Sequence, residues 1–407
     1  MTELLDSSIG LTHGQRRFWT AEQALPGKVD NRMAFAATLS DVDIATVQAA
    51  FALVVHRHEV LRSRYHPDGT RQHIDPGEPG LTVLPAPTSS ADPATVADDV
   101  LARWWSMPLD LSRDPPTHGW AVPLPSGQVL LCVGVHHIAF DGWSRSVFLH
   151  DFAHACRRLR LGVAPADAVA AVTPYGDFVR WENERLAAWR AAETPFWQGL
   201  LADPLPPVFD GVDAAEGERA EHVTALPPDS TAALRRPGAA AAFLTAAAGA
   251  VGQVLHRDAF HLETMSSGRF EPCFGNTVGC FVNHLVLPFD RDDGLRTVGR
   301  RLYQAFRHAH TPVGEIGAGL PRGIPATQVC IILNQRPGSL PGLQIVEVRV
   351  PRSSVPLVIE ANPGPDGSWS LYAGYRTDAM SGTDARATLD AVVDRLARIS
   401  GPLGPDR

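Results

Sequence analysis

Residues 129–135, Val-Leu-Leu-Cys-Val-Gly-Val, form an unbroken apolar run. Apolarity without helical spacing over that length describes a strand covered on both faces. A chain built around such a strand must supply a layer above it and a layer below it. The neighbouring segments have the right periodicity. Ile44, Val47, Phe51 and Val54 recur at helical spacing over 43–57. Val147, Phe148, Phe152, Cys156 and Leu159 do so over 144–161, where Gly162 stops the pattern. The fold class read from these segments is α/β.

The rest of the chain repeats the mixture. Arg62 to Ile74 predicts a hairpin turning on Pro67-Asp-Gly-Thr70, and a helix follows from Tyr175 to about Leu201. Residues 203–230, rich in Pro, Asp and Glu, predict an exposed loop. Beyond it come a helix over 239–255, strands over 279–287 and 328–334, a hairpin over 356–376 and a last helix over 384–399. With 407 residues the chain exceeds what one core usually serves. Two lobes are expected, residues 1–172 and 173–407.

A net charge of −8 gives no support for a nucleic-acid binder, which would carry a basic excess. The five cysteines are widely spaced and form no C-x-x-C, so neither a disulfide framework nor a metal site is indicated. The most apolar window, Gly238 to Leu255, is interrupted by Thr245, Gly249, Gly252 and Gln253 and reads as a buried helix, not a membrane span. The first residues lack the basic segment and apolar run of a signal peptide, so a cytoplasmic protein is expected.

The buried strand ends in His136 and His137, and Asp141-Gly142 follows four residues later. A strand that only filled a core has no use for an imidazole pair. Strand alternation sends the two side chains to opposite faces, which argues against joint metal binding and for a division of labour. An imidazole with the ordinary pKa of about 6.5 is mostly neutral at pH 7 and can accept a proton from an amine or alcohol. Such work is worth roughly 10²- to 10⁴-fold in rate. Asp141, in a turn before a helix, can reach back or pair with a buried arginine.

His136-His-Ile-Ala-Phe-Asp-Gly142 resembles the HHxxxDG signature of the condensation domains of nonribosomal peptide synthetases, in the chloramphenicol-acetyltransferase-like superfamily. Four more segments agree in order. Leu11-Thr-His-Gly-Gln-Arg-Arg-Phe-Trp19 resembles the opening motif, with Gly14 where alanine is usual. Arg57-His-Glu-Val-Leu-Arg-Ser63 is close to RHExLRT, and Tyr175 to Trp181 matches YxDFxxW. Val278-Gly-Cys-Phe-Val-Asn283 is similar to IGxFVN and is preceded by Ser267-Gly-Arg269. The chain departs from the pattern at His284, where threonine is usual, and at 308–312 and 332–337.

The resemblance implies two chloramphenicol-acetyltransferase-like lobes in a V-shaped pseudo-dimer with a central tunnel. It makes His137 the catalytic base or positioning group and His136 structural. It implies that Asp141 is held by an arginine of the RHExLR segment, Arg57 first and Arg62 second, and that Gly142 leaves room for the substrate arm. Ser144, Asn283, His284 and Asn334 become possible tunnel-lining residues. The implied activity is a discrete condensation enzyme, in which an amine or hydroxyl acceptor, small or carrier-bound, attacks an acyl thioester to give an amide or an ester. The acyl or peptidyl carrier protein would act in trans and bring its own phosphopantetheine arm, with no cofactor, nucleic acid or membrane involved. A coenzyme A-dependent acyltransferase of the same fold and a non-catalytic carrier-docking module are the alternatives.

Overall fold

The computed structural model describes residues 8–77, 80–87, 92–318, 320, 327–335, 340, 342–364 and 366–400. In chain order its main elements are α1 (His13–Ala24), β1 (Arg32–Leu39), α2 (Ile44–Arg57), β2 (Ser63–Tyr65), β3 (Arg71–Ile74), β4 (Leu81–Val83), α3 (Pro93–Ser106), β5 (Thr117–Pro123), β6 (Val129–His136) and α4 (Gly142–Arg160). There follow α5 (Tyr175–Leu200), β7 (Gly217–Ala225), α6 (Ala239–Val254), β8 (Ala259–Ser266), β9 (Asn283–Asp290), α7 (Leu295–Arg307), β10 (Val329–Leu333), β11 (Leu343–Val346), β12 (Arg352–Ser353), β13 (Leu357–Pro363), β14 (Trp369–Arg376) and α8 (Gly382–Ser400). No helix among the described residues is long and apolar enough to cross a membrane.

These elements form two compact units that interleave in sequence. Among the described residues, the first takes those up to Arg185, then Arg269–Val282 and those from 340 to Val350. The second takes Leu186–Gly268, those from Asn283 to 335, and those from Pro351 onward.

In the first unit the sheet order is β11-β1-β6-β5-β4. The apolar run becomes β6, antiparallel to both neighbours and buried at every position. Its two faces serve different cores. Leu131, Val133 and Val135 pack with Phe51 of α2 and Phe148 of α4, while Leu130 and Cys132 pack with Val100 and Trp104 of α3. Gly134 is required by that second face, since a Cβ there would lie 2.4 Å from the Trp104 ring.

The second unit holds a seven-stranded sheet in the order β9-β8-β10-β13-β14-β7-β12, with helices α6 and α8 packed against it. Phe260, Leu262, Leu285, Leu287, Ile331, Ile359 and Leu371 alternate along its strands and are buried. The intervening positions include Glu263, His284 and Glu360, which are half-buried.

Several boundaries differ from the sequence reading, and three of the differences have a physical cause in the structure. Helix α4 starts at Gly142, two residues early, because Asp141 and not a later residue caps it. Residues 203–230 include β7, hydrogen-bonded between β14 and β12. Its sequence, GERAEHVTA, has few β-formers, and its place between two strands decides its conformation. Strand β9 begins at Asn283, four residues late, because Gly279, Cys280 and Phe281 are hydrogen-bonded elsewhere.

Candidate functional site

Asp141 is the hub of the first unit's polar interior. It is the N-cap of α4, where Oδ1 accepts the Ser144 N–H at 2.8 Å, and a carboxylate there also meets the positive end of the helix dipole. Oδ2 accepts the Phe281 N–H at 3.0 Å and an Arg269 N–H at 2.8 Å, and the second Arg269 nitrogen lies 3.2 Å from Oδ1. Both side chains are 2% exposed. Burial alone would push the Asp141 carboxyl up. The Arg269 guanidinium and the hydrogen bonds outweigh it and hold the group below the usual carboxylate range.

The partner of Asp141 is therefore Arg269, and the resemblance-based assignment to Arg57 or Arg62 is corrected. Arg57 pairs with Asp151 at 3.1 Å. His58 donates from Nε2 to the same carboxylate at 2.8 Å. Arg62 is spent on backbone carbonyls, donating to Asp75 O at 2.5 Å and His56 O at 3.3 Å. These two arginines stand near the end of α2 and fasten it locally. Glu59 accepts the Gly176 N–H at 2.9 Å, so the RHE triplet also ties α2 to the start of α5.

Segment 269–282 is stitched into the first unit at several further points. Ser144 Oγ donates to Gly279 O at 2.9 Å and accepts the Gly279 N–H at 3.0 Å. An Arg269 nitrogen lies 3.0 Å from Ser144 Oγ and 3.1 Å from Thr277 O. The Trp143 indole donates to Gly275 O at 2.9 Å and Tyr175 OH to Cys280 O at 2.8 Å. Gly279 lets the Tyr175 ring approach, for a Cβ there would come within 2.2 Å of it. Gly14, where the resemblance leads one to look for alanine, stands against the Cys280 side chain, which a Cβ would meet at 3.3 Å.

The two histidines do not diverge as strand alternation implies. The strand ends at His136 and a single 3₁₀ turn, His137–Ala139, begins with its neighbour. Both rings consequently reach Phe18 of α1, with centroids 6.4 Å away for His136, edge-on, and 4.9 Å for His137, stacked. His136 is fully buried. Its Nδ1 accepts the Ile138 N–H at 3.1 Å, which puts the proton on Nε2, 3.3 Å from Glu22. Burial lowers its pKa against the opposing pull of Glu22. Glu22 also accepts from Asn31 at 2.9 Å and Gly27 N–H at 2.8 Å. Burial acts to raise its carboxyl, but His136 and these donors bring it down to about 2.

His137 is half-buried. Its Nδ1 lies 2.8 Å from the Phe140 carbonyl oxygen, which can only accept, so Nδ1 carries the proton and Nε2 the lone pair. A neutral imidazole in this tautomer is a base at Nε2. An added Cβ at Gly142 would meet no atom within 4 Å, so open space lies beside the helix start.

The other candidate residues belong to the second unit. Asn283 gives both amide protons to backbone, Ala309 O at 3.0 Å and Thr311 O at 2.9 Å, and accepts the Val313 N–H at 3.1 Å. Its amide organises that turn. His284 Nδ1 bonds the Glu263 carboxylate, whose other oxygen accepts from Thr327 at 2.8 Å. Asn334 donates to Glu360 at 2.8 Å and Asn362 at 2.7 Å. Residues 336 and 337 of the divergent 332–337 segment lie outside the described residues. Sequence reasoning missed Arg269, Glu22, Phe18 and Asp151 as contributors. For Arg269 a signal existed, its place in the Ser267-Gly-Arg269 triplet ahead of Val278–Asn283.

Comparison with known proteins agrees with this architecture. Residues 6–328 match the family model described as Condensation domain. Among curated relatives, the probable non-canonical nonribosomal peptide synthetase CymA of Salinispora arenicola is 26% identical over 96% of this chain and 5% of its own length. Phosphinothricin tripeptide synthetase PhsC of Streptomyces viridochromogenes is 30% identical over 71% of this chain and 28% of its own length. The chain thus spans a small part of these relatives. Among solved structures, the starter condensation domain of rhizomide synthetase RzmA, an arginine-to-alanine mutant in complex with C8-CoA, has a TM-score of 0.85 at 17% identity, covering 98% of this chain and 96% of that one. The first condensation domain of the CDA synthetase has a TM-score of 0.81 at 21% identity, covering 97% and 96%. The chain belongs to the condensation-domain family of nonribosomal peptide synthesis, an acyltransferase-type family that forms amide bonds.

Proposed function

We propose that this chain condenses an acyl thioester, delivered in the cytoplasm on the phosphopantetheine arm of a carrier protein acting in trans, with an amine acceptor to give an amide. The observation that carries the reading is His137, whose fixed tautomer leaves Nε2 able to accept a proton. As the acceptor nitrogen attacks the thioester carbon, Nε2 takes its proton, the C–N bond forms and the C–S bond breaks. The proton is then available to the departing thiolate. A thioester is already activated, so the protein's contribution is alignment and proton management. Asp141 and Arg269 act one step back, by fixing the start of α4 against segment 269–282. The open space beside Gly142 is where the arm would pass. A second reading is a coenzyme A donor, favoured by the RzmA structure of the same fold, which holds C8-CoA.

The test offers a panel of acyl groups, each as carrier protein and coenzyme A thioesters, to amine and alcohol acceptors. Products are read by mass spectrometry for wild type and His137→Ala. Transfer from the carrier, lowered roughly 10²- to 10⁴-fold in the variant, is the expected result. Equal transfer from coenzyme A would replace the carrier by the second reading, and an alcohol-only product would change the bond to an ester. Full turnover in a folded His137→Ala variant would remove the role given to that residue.

A further inference from the structure

We propose that the outer face of α7 is a docking surface for an acidic helix of the carrier protein that delivers the acyl group. The inference rests on the reading of the donor as carrier-bound. Helix α7 turns Val298, Leu302 and Ala305 into the second unit, where all three are buried. Its outer side is of another kind. At 3.6 residues per turn Arg296, Arg300, Tyr303 and Arg307 fall within about 60° of one another around the axis. All four are exposed. They form a stripe about 16 Å long, with Tyr303 62% exposed between the second and third arginines. Phe306 lies along one flank and is 38% exposed.

Among the described residues the side chains of these three arginines form no ion pair and no hydrogen bond. Arg301, on the inner side of the same helix, pairs with Asp293 at 2.6 Å and donates to Pro288 O at 2.6 Å. The helix itself gains little from the stripe. Arg296 stands in the first turn, where a cation opposes the helix dipole, no acidic residue offsets it and Gly294 offers no side-chain cap. Arg296 and Arg300 are four residues apart, a spacing at which like charges repel. Only Arg307, in the last turn, meets the dipole favourably.

The chemistry of the partner follows from this surface. The chain carries a net charge of −8, so the basic stripe draws an acidic surface to one place while the rest of the molecule repels it. Arginine and aromatic side chains are the types enriched at protein interfaces. A membrane asks for a wide apolar face beside the cations, and α7 has turned its apolar face inward. A nucleic acid asks for a broader basic field than three arginines on an acidic protein supply. A helix of about three turns with carboxylates along one side matches the length of the stripe.

The test pairs the full chain with a panel of carrier proteins, each acylated on its phosphopantetheine arm. Wild type is compared with a triple variant, Arg296→Gln, Arg300→Gln and Arg307→Gln. All three side chains are at the surface, so thermal melts should agree. Each exposed ion pair lost is worth about 1.4- to 5-fold, so KM for the carrier-bound donor should rise roughly 3- to 150-fold with kcat unchanged. Salt should raise the wild-type KM and move that of the variant much less. The same acyl groups on pantetheine alone, which brings no protein surface, should be transferred alike by both. A carrier in which lysines replace the carboxylates of its docking helix should recover with Arg296→Glu, Arg300→Glu and Arg307→Glu. Carrier-dependent transfer with an unchanged KM in the triple variant would overturn the inference and leave the donor reading standing. No transfer from any carrier would remove the donor reading and this inference with it. Phosphatidylserine-containing vesicles retained by wild type and not by the triple variant, with the carrier KM unaffected, would assign the face to a membrane instead.

Discussion

Replacing Arg269 by methionine, which keeps a long apolar stem and removes the charge, should be among the most damaging single changes in the first unit. The structure sets the magnitude. Asp141 would lose its contacts at 2.8 and 3.2 Å and keep only the Ser144 and Phe281 amide donors. Both side chains are 2% exposed, so water does little to screen the pair or to relieve the carboxylate left behind. Breaking a buried pair on one side costs about 3–5 kcal/mol. A cycle with Asp141→Asn isolates the charge, because asparagine caps a helix about as well as aspartate. Denaturant unfolding of wild type, both single variants and the double variant should show a coupling of about 1–3 kcal/mol between 141 and 269, and additivity within about 0.5 kcal/mol between 57 and 141. The variant carries a second signature. An unpaired buried carboxyl titrates above its ordinary value, so its penalty is present at neutral pH and fades as pH falls and the group protonates. Additive effects at 141 and 269, or a deficit independent of pH, would refute the reasoning.

Glu182 is buried, accepts the His13 N–H at 2.7 Å, and is pushed by burial up to about 7 from an ordinary 4.5. A raised carboxyl contributes stability that is present below pH 4.5 and lost as pH rises through 7, about 3 kcal/mol for a displacement of that size. Glu182→Gln, whose amide oxygen can still accept from His13, should gain on wild type between about pH 5 and 8 in urea unfolding; parallel stability curves would contradict the assignment. Gly279→Ala should cost about 1–3 kcal/mol by overpacking against Tyr175, and shortening Tyr175 to leucine in the same chain should make the added methyl cheaper. Equal costs in both backgrounds, from thermal melts, would mean that the ring is not what excludes a Cβ.

What the sequence disclosed and what it withheld divide along sequence distance. The buried strand β6 and helices α2 and α4 could be read because their signals, apolar runs and helical spacing, lie within a dozen or so residues. The partner of Asp141 could not, because it comes from 128 residues further along the chain. Arg57 and Arg62 stand in a motif and are nearer, yet one pairs with Asp151 and the other with backbone oxygens. A carboxylate needing a cation shows that some arginine must come, and not which. The histidine pair failed for the opposite reason, a rule applied one residue too far. Alternation holds inside a strand, and β6 stops at His136, so the 3₁₀ turn brings His137 onto the same phenylalanine as its neighbour. Strand β7 was missed because its pairing, not its composition, makes it a strand. The two misses at the site converge on one physical fact. Asp141 accepts at once from the start of its own helix and from two residues of segment 269–282, so the signature around residue 141 is incomplete as a structural unit without that later segment. A substitution at Arg269, Ser144 or Gly279 is then expected to act on the geometry around His137 although none of the three donates to or accepts from its ring in the bonds described.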